Sequence, residues 1–225
     1  MQQTWTDLAF IHWEVDYQQV RQAVPEHLTI DTFDGKAWIG VVPFDMKGVT
    51  PRHVPPLSPL SDFPEINVRT YVRHGDKAGV WFFSLDVPNP LAVLVARVCF
   101  HLPYFLGQVS VTHRGDTVGY WARYGDRRFE ARYRPLPGRR PRQPTAFAQW
   151  ATERYCLYAT DRSGQLFRGD IHHRPWPLEP AEVEIDTNTY LDAWQLGSPH
   201  PEVYFSRSID VVVWPLVRVG PEMPV

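Results

Sequence analysis

Turn signals at short intervals constrain the fold of this chain more than any other feature. Asp34-Gly35, His74–Lys77, Arg114–Asp116, Gly125–Asp126 and Arg162–Gly164 each separate two segments of strand-like pattern. Glycine and aspartate suit such connections because they tolerate the backbone angles that tight turns need. The 22 prolines also disfavour long helices. We therefore predict an α+β fold that is mainly antiparallel β-sheet.

The segments between these turns have the lengths of strands. The two arms around Asp34-Gly35 are predicted to pair with each other as a hairpin, and the arms around His74–Lys77 as a second hairpin. The predicted strands are Thr6–Val15, Leu28–Phe33, Lys36–Phe44, Asp62–Val72, Gly79–Leu85, Leu106–His113, Thr117–Tyr124, Arg127–Arg134, Tyr155–Thr160, Gln165–His172, Ala181–Tyr190 and Val203–Trp214.

Three short helices are predicted between the strands. Asp16 is a candidate N-cap of the first helix and Thr145 of the third. Asn89 and Pro90 favour the start of the second helix, and Pro103 ends it. We expect the second helix to be buried through an apolar stripe, which consists of Leu91, Leu94, Val95, Val98 and Leu102.

Composition predicts a single cytoplasmic domain. No low-complexity linker divides residues 1–225. The only cysteines, Cys99 and Cys156, lie far apart, which is typical of a reducing compartment. The N-terminus lacks the pattern of a signal peptide, and no apolar stretch reaches membrane-spanning length, so we expect no membrane partner.

The strand Asp62–Val72 carries the main candidate site. Its two-residue period places Glu65, Asn67, Arg69 and Tyr71 on one face. A carboxylate, an amide, a guanidinium and a phenol side by side are able to hold a small polar ligand. The same pattern is also typical of a sheet face that meets water, with Glu65 and Arg69 as an ion pair. Alternation alone leaves both interpretations open.

Further candidate residues follow from the second helix. Arg97 and His101 are four residues apart and so share a helix face, and Tyr104 follows the helix directly. We predict that Arg69 and Arg97 hold a carboxylate, since planar guanidinium groups bind carboxylates through paired hydrogen bonds. Glu65 and Tyr104 are the predicted catalytic residues, and Asn67, Tyr71 and His101 are predicted to bind ligand. The alternative for Arg97 and His101 is a solvated helix edge.

A proline-rich connection leads into this strand. Its prolines are Pro51, Pro55, Pro56, Pro59 and Pro64. Regular strand pairing is not expected there. The connection is predicted either to cover the site as a lid or to be a surface loop without a role.

Other classes of site are poorly supported by the sequence. Eight arginines lie between Arg123 and Arg142, which makes nucleic-acid binding a third possibility, but the net charge of −2 and nearby acidic residues disfavour it. The nine histidines do not have the spacing of a metal site, and phosphate-binding loops and nucleophile motifs are missing. We predict no metal and no cofactor.

Five segments resemble the YqjF-like bacterial proteins of unknown function. The resemblance covers nearly the whole chain, and the segments are Asp62–Val72, Gly79–Asp86, Leu102–Tyr104, Glu153–Tyr155 and Ile171–Leu178. That family is similar in fold to acetoacetate decarboxylase. The resemblance therefore implies a curved antiparallel sheet that forms a cone or barrel around a central cavity, with the polar face of Asp62–Val72 turned inward. Because the decarboxylase relatives assemble, the resemblance also implies a homo-oligomer.

The resemblance also implies that the decarboxylase chemistry is absent. That enzyme uses a buried lysine as its Schiff-base nucleophile, and the corresponding segment here is His101–Phe105, in which aromatic residues stand at both lysine positions. Glu65 matches the cavity glutamate of that fold. We therefore predict a cavity protein that binds a small carboxylate-bearing metabolite, with lysine-independent lyase or isomerase activity that uses Glu65 as the base. The alternative is a noncatalytic protein that senses a ligand or serves assembly.

Overall fold

The computed structural model describes residues 1–50, 61–138 and 143–220, so four of the five prolines in the predicted lid lie outside the described residues. Its strands are β1 Gln2–Val15, β2 Thr29–Ile30, β3 Ala37–Thr50, β4 Phe63–His74, β5 Lys77–Val87, β6 Tyr104–Leu106, β7 Gln108–Arg114, β8 Thr117–Tyr124, β9 Arg127–Pro135, β10 Cys156–Thr160, β11 Leu166–His172, β12 Glu179–Asn188 and β13 Glu202–Arg218. Its α-helices are α1 Tyr17–Ala23, α2 Pro90–Phe100 and α3 Ala146–Thr152. A short 3₁₀ helix covers Thr189–Leu191.

Seven of the strands close into a ring. The hydrogen-bonded order is β1-β3-β4-β5-β10-β11-β13, and β13 pairs again with β1. The pairs are antiparallel except for β5 with β10 and β5 with β6. A closed sheet of this kind has an inside and an outside face, and side chains alternate between them. The predicted α+β, mainly antiparallel fold is confirmed.

A second layer of sheet covers the outside of the ring. β12, β9, β8 and β7 continue from β13 in that order. Tyr120 and Tyr133 of this layer belong to the same buried cluster as Ile66 and Val68 of β4. The side chains on the other face of β4 point into the ring, where Tyr71 belongs to a second buried cluster. Strand β4 is therefore buried on both faces.

The three predicted helices are present with their predicted N-caps. Asp16 accepts a hydrogen bond from the Gln19 N–H at 2.9 Å, and Thr145 accepts one from the Ala148 N–H at 3.0 Å. Asn89 accepts hydrogen bonds from two N–H groups of the first turn of α2, at 3.0 and 3.1 Å. In the described part of the chain, no helix combines the length and the apolar character that crossing a membrane requires.

The predicted buried stripe of α2 is wrong at four of its five residues, and Leu102, which follows the helix, is the one that is buried. Leu91, Leu94, Val95 and Val98 are 51%, 60%, 39% and 65% exposed, whereas Val93 and Phe100 are buried. Apolar residues surround almost the whole circumference of this helix, with Arg97 its only charged residue. The three- and four-residue spacing that marks a buried stripe is therefore met on more than one face, and the pattern could not select the right one.

The hairpin predicted around Asp34-Gly35 is also wrong in its pairing. The turn itself forms, and both residues have positive φ angles of 50° and 74°. However, only Phe33 and Lys36 bridge across it, and β2 pairs instead with the end of β4. The reason is that β3 already has β1 on one edge and β4 on the other, so neither edge remains for the segment before the turn.

Gly79 marks a close approach of β5 and β10 in the ring. A Cβ atom at this position would lie 2.7 Å from Cys156 Sγ and 2.8 Å from both the Cys156 carbonyl oxygen and Tyr158 Cε2. We expect Gly79→Ala to lower the free energy of unfolding by about 1–3 kcal/mol, because overpacked strands must move apart. Chemical denaturation measures the loss. Gly220→Ala is the control, since a Cβ atom there meets open space, and equal stability of the two variants would contradict the prediction.

Candidate functional site

The polar face of β4 is buried inside the ring. Glu65, Asn67 and Arg69 are 2%, 4% and 8% exposed, and Tyr71 is fully buried. The interpretation of this face as a water-facing sheet surface is therefore wrong. The alternation was predicted correctly. A polar strand face meets water only where that face of the sheet is left uncovered. Here the polar face of β4 lies inside the closed ring, and the outer layer covers the opposite face.

A small cavity lies against this face. It has a volume of about 80 Å³ and is lined by Glu65, Asn67 and Arg69 together with Tyr104 and Gln3. The rest of its wall is apolar and comes from strands around the ring and from α2, with Phe44, Leu85, Ala96, Phe100 and Val213 among the lining residues. One water needs roughly 10–15 Å³ by this measure, so the cavity has room for a molecule of a few heavy atoms.

Glu65 is held by two hydrogen bonds at the wall of the cavity. The Tyr104 hydroxyl donates to Glu65 Oε2 at 2.7 Å, and Asn67 Nδ2 donates to Oε1 at 3.4 Å. Burial raises the pKa of Glu65 to about 7, since desolvation penalises the carboxylate. The two hydrogen bonds act against this shift and favour the charged form.

Arg69 is a buried cation on the same wall. Its guanidinium packs over the Phe10 ring at 5.2 Å and near the Tyr71 ring at 5.9 Å. Its Nε is buried without a hydrogen-bond partner in the described structure. None of the ion pairs formed by described residues includes Arg69. The Glu65–Arg69 ion pair of the water-facing alternative is therefore not formed, and the Arg69 cation lines the cavity without an ion-pair partner among the described carboxylates.

Tyr71 lies beside this cavity but does not line it. Its hydroxyl is hydrogen bonded to His12 Nε2 at 2.5 Å, and both residues are fully buried. Burial, followed by the positive charge of Arg69, lowers the pKa of His12 well below its usual value. No sequence signal marks His12, because a single histidine in an apolar strand has no partner that local spacing can identify.

Arg97 and His101 also lie outside the cavity wall. Arg97 is exposed, and its Nε donates to the Tyr104 carbonyl oxygen at 2.6 Å. His101 is the C-cap of α2 in the left-handed conformation, with φ of 51°, and its ring lies 5.0 Å from that of Phe167. The predicted paired grip of Arg69 and Arg97 on a carboxylate therefore does not form. Arg97 instead holds the backbone of Tyr104, whose side chain reaches Glu65.

None of the three lysines, Lys36, Lys47 and Lys77, lines this cavity. Lys36 pairs with Glu14 at 2.6 Å, Lys77 with Asp170 at 2.7 Å, and Lys47 lies 3.8 Å from Asp45. All three side chains are about half exposed, and the cavity wall contains no lysine among the described residues. Within the same residues, histidine, cysteine and carboxylate side chains do not gather in groups of three that could hold a metal ion.

The basic run is partly neutralised by a neighbouring strand. Arg132 pairs with Glu184 and Asp186, and Arg134 pairs with Glu182. These acidic residues all lie on β12, which is antiparallel to β9. Arg139, Arg140 and Arg142 lie outside the described residues. Nucleic-acid binding through this run stays the disfavoured third possibility.

Sequence comparison finds relatives over nearly the full length of the chain. The DUF2071 family, described as an uncharacterized conserved protein, matches residues 2–210. The uncharacterized protein YqjF of Bacillus subtilis strain 168 is 42% identical over 221 residues, which cover 96% of this chain and 91% of that protein.

Structural comparison finds the acetoacetate decarboxylase fold. The acetoacetate decarboxylase of Legionella pneumophila superimposes with a TM-score of 0.67 at 13% identity over 97% of this chain and 87% of its own. The enduracididine biosynthesis enzyme MppR, complexed with pyruvate, gives a TM-score of 0.71 at 12% identity over 98% and 90%. An acetoacetate decarboxylase-like enzyme of Sphingomonas wittichii RW1 gives 0.66 at 12% identity over 98% and 93%. Identity this low shows a common fold and leaves the chemistry to the site itself.

Proposed function

The chain belongs to the DUF2071 family of uncharacterized conserved proteins, and from this premise we propose that it binds a small carboxylate-bearing metabolite in the cavity between β4 and α2. Arg69 binds the carboxylate in this proposal, and Asn67 donates to or accepts from a second polar group of the ligand. Glu65 exchanges a proton with the bound molecule. MppR is complexed with pyruvate, a small oxo-acid, in the same fold, which supports a ligand of this class.

The unpaired cation of Arg69 is the observation that carries the proposal. Taking a guanidinium out of water costs several kcal/mol unless an anion or hydrogen bonds compensate it. In the described structure, the rings of Phe10 and Tyr71 and an interaction with the Tyr71 hydroxyl supply only partial compensation, because none of them carries a full negative charge at neutral pH. A carboxylate in the adjacent cavity would restore both the charge balance and the missing hydrogen bond of Nε.

Glu65 is suited to proton transfer on such a ligand. A group with a pKa of about 7 is present in both its charged and neutral forms at neutral pH, which favours general acid–base catalysis. The carboxylate accepts a proton from carbon or oxygen of the ligand, and Tyr104 keeps Glu65 Oε2 oriented by donating to it at 2.7 Å. We therefore propose a lyase or isomerase reaction without a Schiff base.

The free thiols of Cys99 and Cys156 agree with a cytoplasmic location.

A thermal-shift screen with oxo- and hydroxy-acids tests the proposal. A ligand present at a hundred times its dissociation constant stabilises a protein by ~2.7 kcal/mol, which is several degrees for a chain of this size. We expect Arg69→Leu to abolish the shift and Glu65→Gln to weaken it. The ligand-free Arg69→Leu protein should be as stable as the wild type or more so, because an unpaired buried charge is replaced by an apolar side chain.

Arg132→Leu is the matched control for loss of an arginine. It removes a half-exposed cation of β9 that does not line the cavity, and it should leave the shift unchanged. A shift that survives Arg69→Leu, or the absence of a shift with every acid, would contradict the proposed site.

A further inference from the structure

A second chamber opens outward from the cavity. It has a volume of about 280 Å³ and is more than three times as large as the inner cavity, at about 80 Å³. The two share a boundary, and the residues that line both are Met1, Gln3, Met46, Ala96, Phe100 and Tyr104. Tyr104 therefore stands at the passage, with its hydroxyl turned to Glu65 of the inner cavity.

The outer chamber differs from the inner cavity in its chemistry. Phe63, Leu91, Ala92 and Val95 contribute to its wall, and among the described residues no acidic or basic side chain lines it. Leu91 and Val95 of α2 are 51% and 39% exposed at this wall. Apolar surface of this kind gains free energy when an apolar group covers it. The site thus combines a polar inner end with an apolar outer end.

We propose that the ligand is an amphiphilic carboxylic acid, with its carboxylate at Arg69 and an apolar chain that passes Tyr104 and Phe100 into the outer chamber. This inference rests on the proposed function of the inner cavity and names its ligand class. The inner cavity takes only a few heavy atoms, so the remainder of a longer acid has to leave it through the shared boundary. The apolar wall beyond that boundary selects an alkyl or aryl chain over a polar extension.

Affinities for a series of straight-chain acids test this inference. The dissociation constants of acetate, butyrate, hexanoate and octanoate are measured by calorimetry on the wild-type protein. We expect each added methylene that enters the chamber to tighten binding about fourfold, which corresponds to about 0.8 kcal/mol per buried methylene.

Variants of α2 separate the two chambers. Ala92 lines only the outer one, so Ala92→Phe should remove the gain with chain length while leaving the affinity for acetate unchanged. Val95→Phe fills the same chamber from a more exposed position and is the second variant if the first does not fold. Val98→Phe is the control, because Val98 is on the same helix, is 65% exposed and lines neither chamber.

The outcomes for the two proposals differ. If acetate and octanoate bind equally, and both require Arg69, the inner site stands and the apolar chain is overturned. A gain with chain length that persists in both Ala92→Phe and Val95→Phe likewise overturns the placement of the chain. Failure of every acid to bind overturns the inner site and the amphiphilic ligand together.

Discussion

Raising the pH from below 4.5 to above 7 should lower the free energy of unfolding of the wild-type protein by about 3 kcal/mol more than that of Glu65→Gln. Burial raises the pKa of Glu65 from 4.5 to about 7 in the folded protein. Below 4.5 the carboxyl is protonated in both states, and its burial carries no charge penalty.

The sign of the effect follows from where the proton is bound. Between pH 4.5 and about 7 the folded protein keeps the Glu65 proton while the unfolded chain loses it, so the unfolded state is favoured increasingly. Above 7 both states are ionised, and the loss is complete. The raised pKa therefore contributes stability at low pH that disappears as pH rises, in contrast to a carboxylate in a native ion pair.

Glu65→Gln isolates this group from the others that titrate. Burial also raises the pKa of Asp45 and Asp86, so the wild-type curve alone mixes several carboxyl groups. Glutamine keeps an acceptor for the Tyr104 hydroxyl and carries no charge, and its NH₂ can donate to Asn67 Oδ1, which is otherwise unsatisfied in the described structure. Urea denaturation of both proteins across this pH range gives the difference. Parallel curves would mean that Glu65 is not buried as described.

Local signals in the sequence predicted most elements of the fold. The caps Asp16, Asn89 and Thr145 and the glycine turns lie within a few residues of the atoms they satisfy, so their chemistry is readable without the rest of the chain. The closure of the ring is different. It joins β1 to β13, with Gln2 opposite Val212, and nothing near either segment specifies the other.

The part of the candidate site that depends on local spacing could be predicted, and the part that depends on long-range contacts could not. Glu65, Asn67 and Arg69 are neighbours on one strand, so their shared face follows from the two-residue period. Tyr104 reaches Glu65 from β6, and it was a candidate only because it follows the second helix, which does not specify contact with Glu65. Arg97 was expected to bind a carboxylate but lies outside the cavity, on the Tyr104 carbonyl oxygen. Helix spacing determines which residues share a face, but it does not determine what that face contacts.

The second large effect on stability is expected at a buried ion pair that the sequence did not reveal. The Asp31 carboxylate, just after β2, pairs with Arg154, which lies between α3 and β10. The two side chains are 14% and 5% exposed. Arg154 also packs over the Tyr71 ring at 5.0 Å and the Trp150 ring at 4.7 Å. The pair therefore ties α3 to the strands that carry the site.

We expect Asp31→Asn to lower the free energy of unfolding by about 3–5 kcal/mol, because it leaves the Arg154 cation buried without its carboxylate. Arg73, whose Nε lies 3.4 Å from Asp31, is 42% exposed and can turn to water, so its loss of a partner adds little. Urea denaturation measures the change. Asp170→Asn is the control, since Asp170 also pairs with two cations, Lys77 and Arg168, but at 38% exposure, and we expect less than about 1 kcal/mol there.

The double variant Asp31→Leu with Arg154→Met distinguishes a lost attraction from an uncompensated charge. If the cost of Asp31→Asn comes from leaving Arg154 charged and buried, removing both charges together should cost less than the sum of Asp31→Leu and Arg154→Met alone. The pKa of Arg154 is lowered by burial, which indicates that desolvation of this cation is incompletely repaid even with Asp31 present. Additive costs would show instead that each side chain stabilises the fold through its own packing. Arg69 differs from Arg154, because its buried charge has no ion-pair partner among the described carboxylates. We therefore expect removal of Arg69 to cost ligand binding rather than stability.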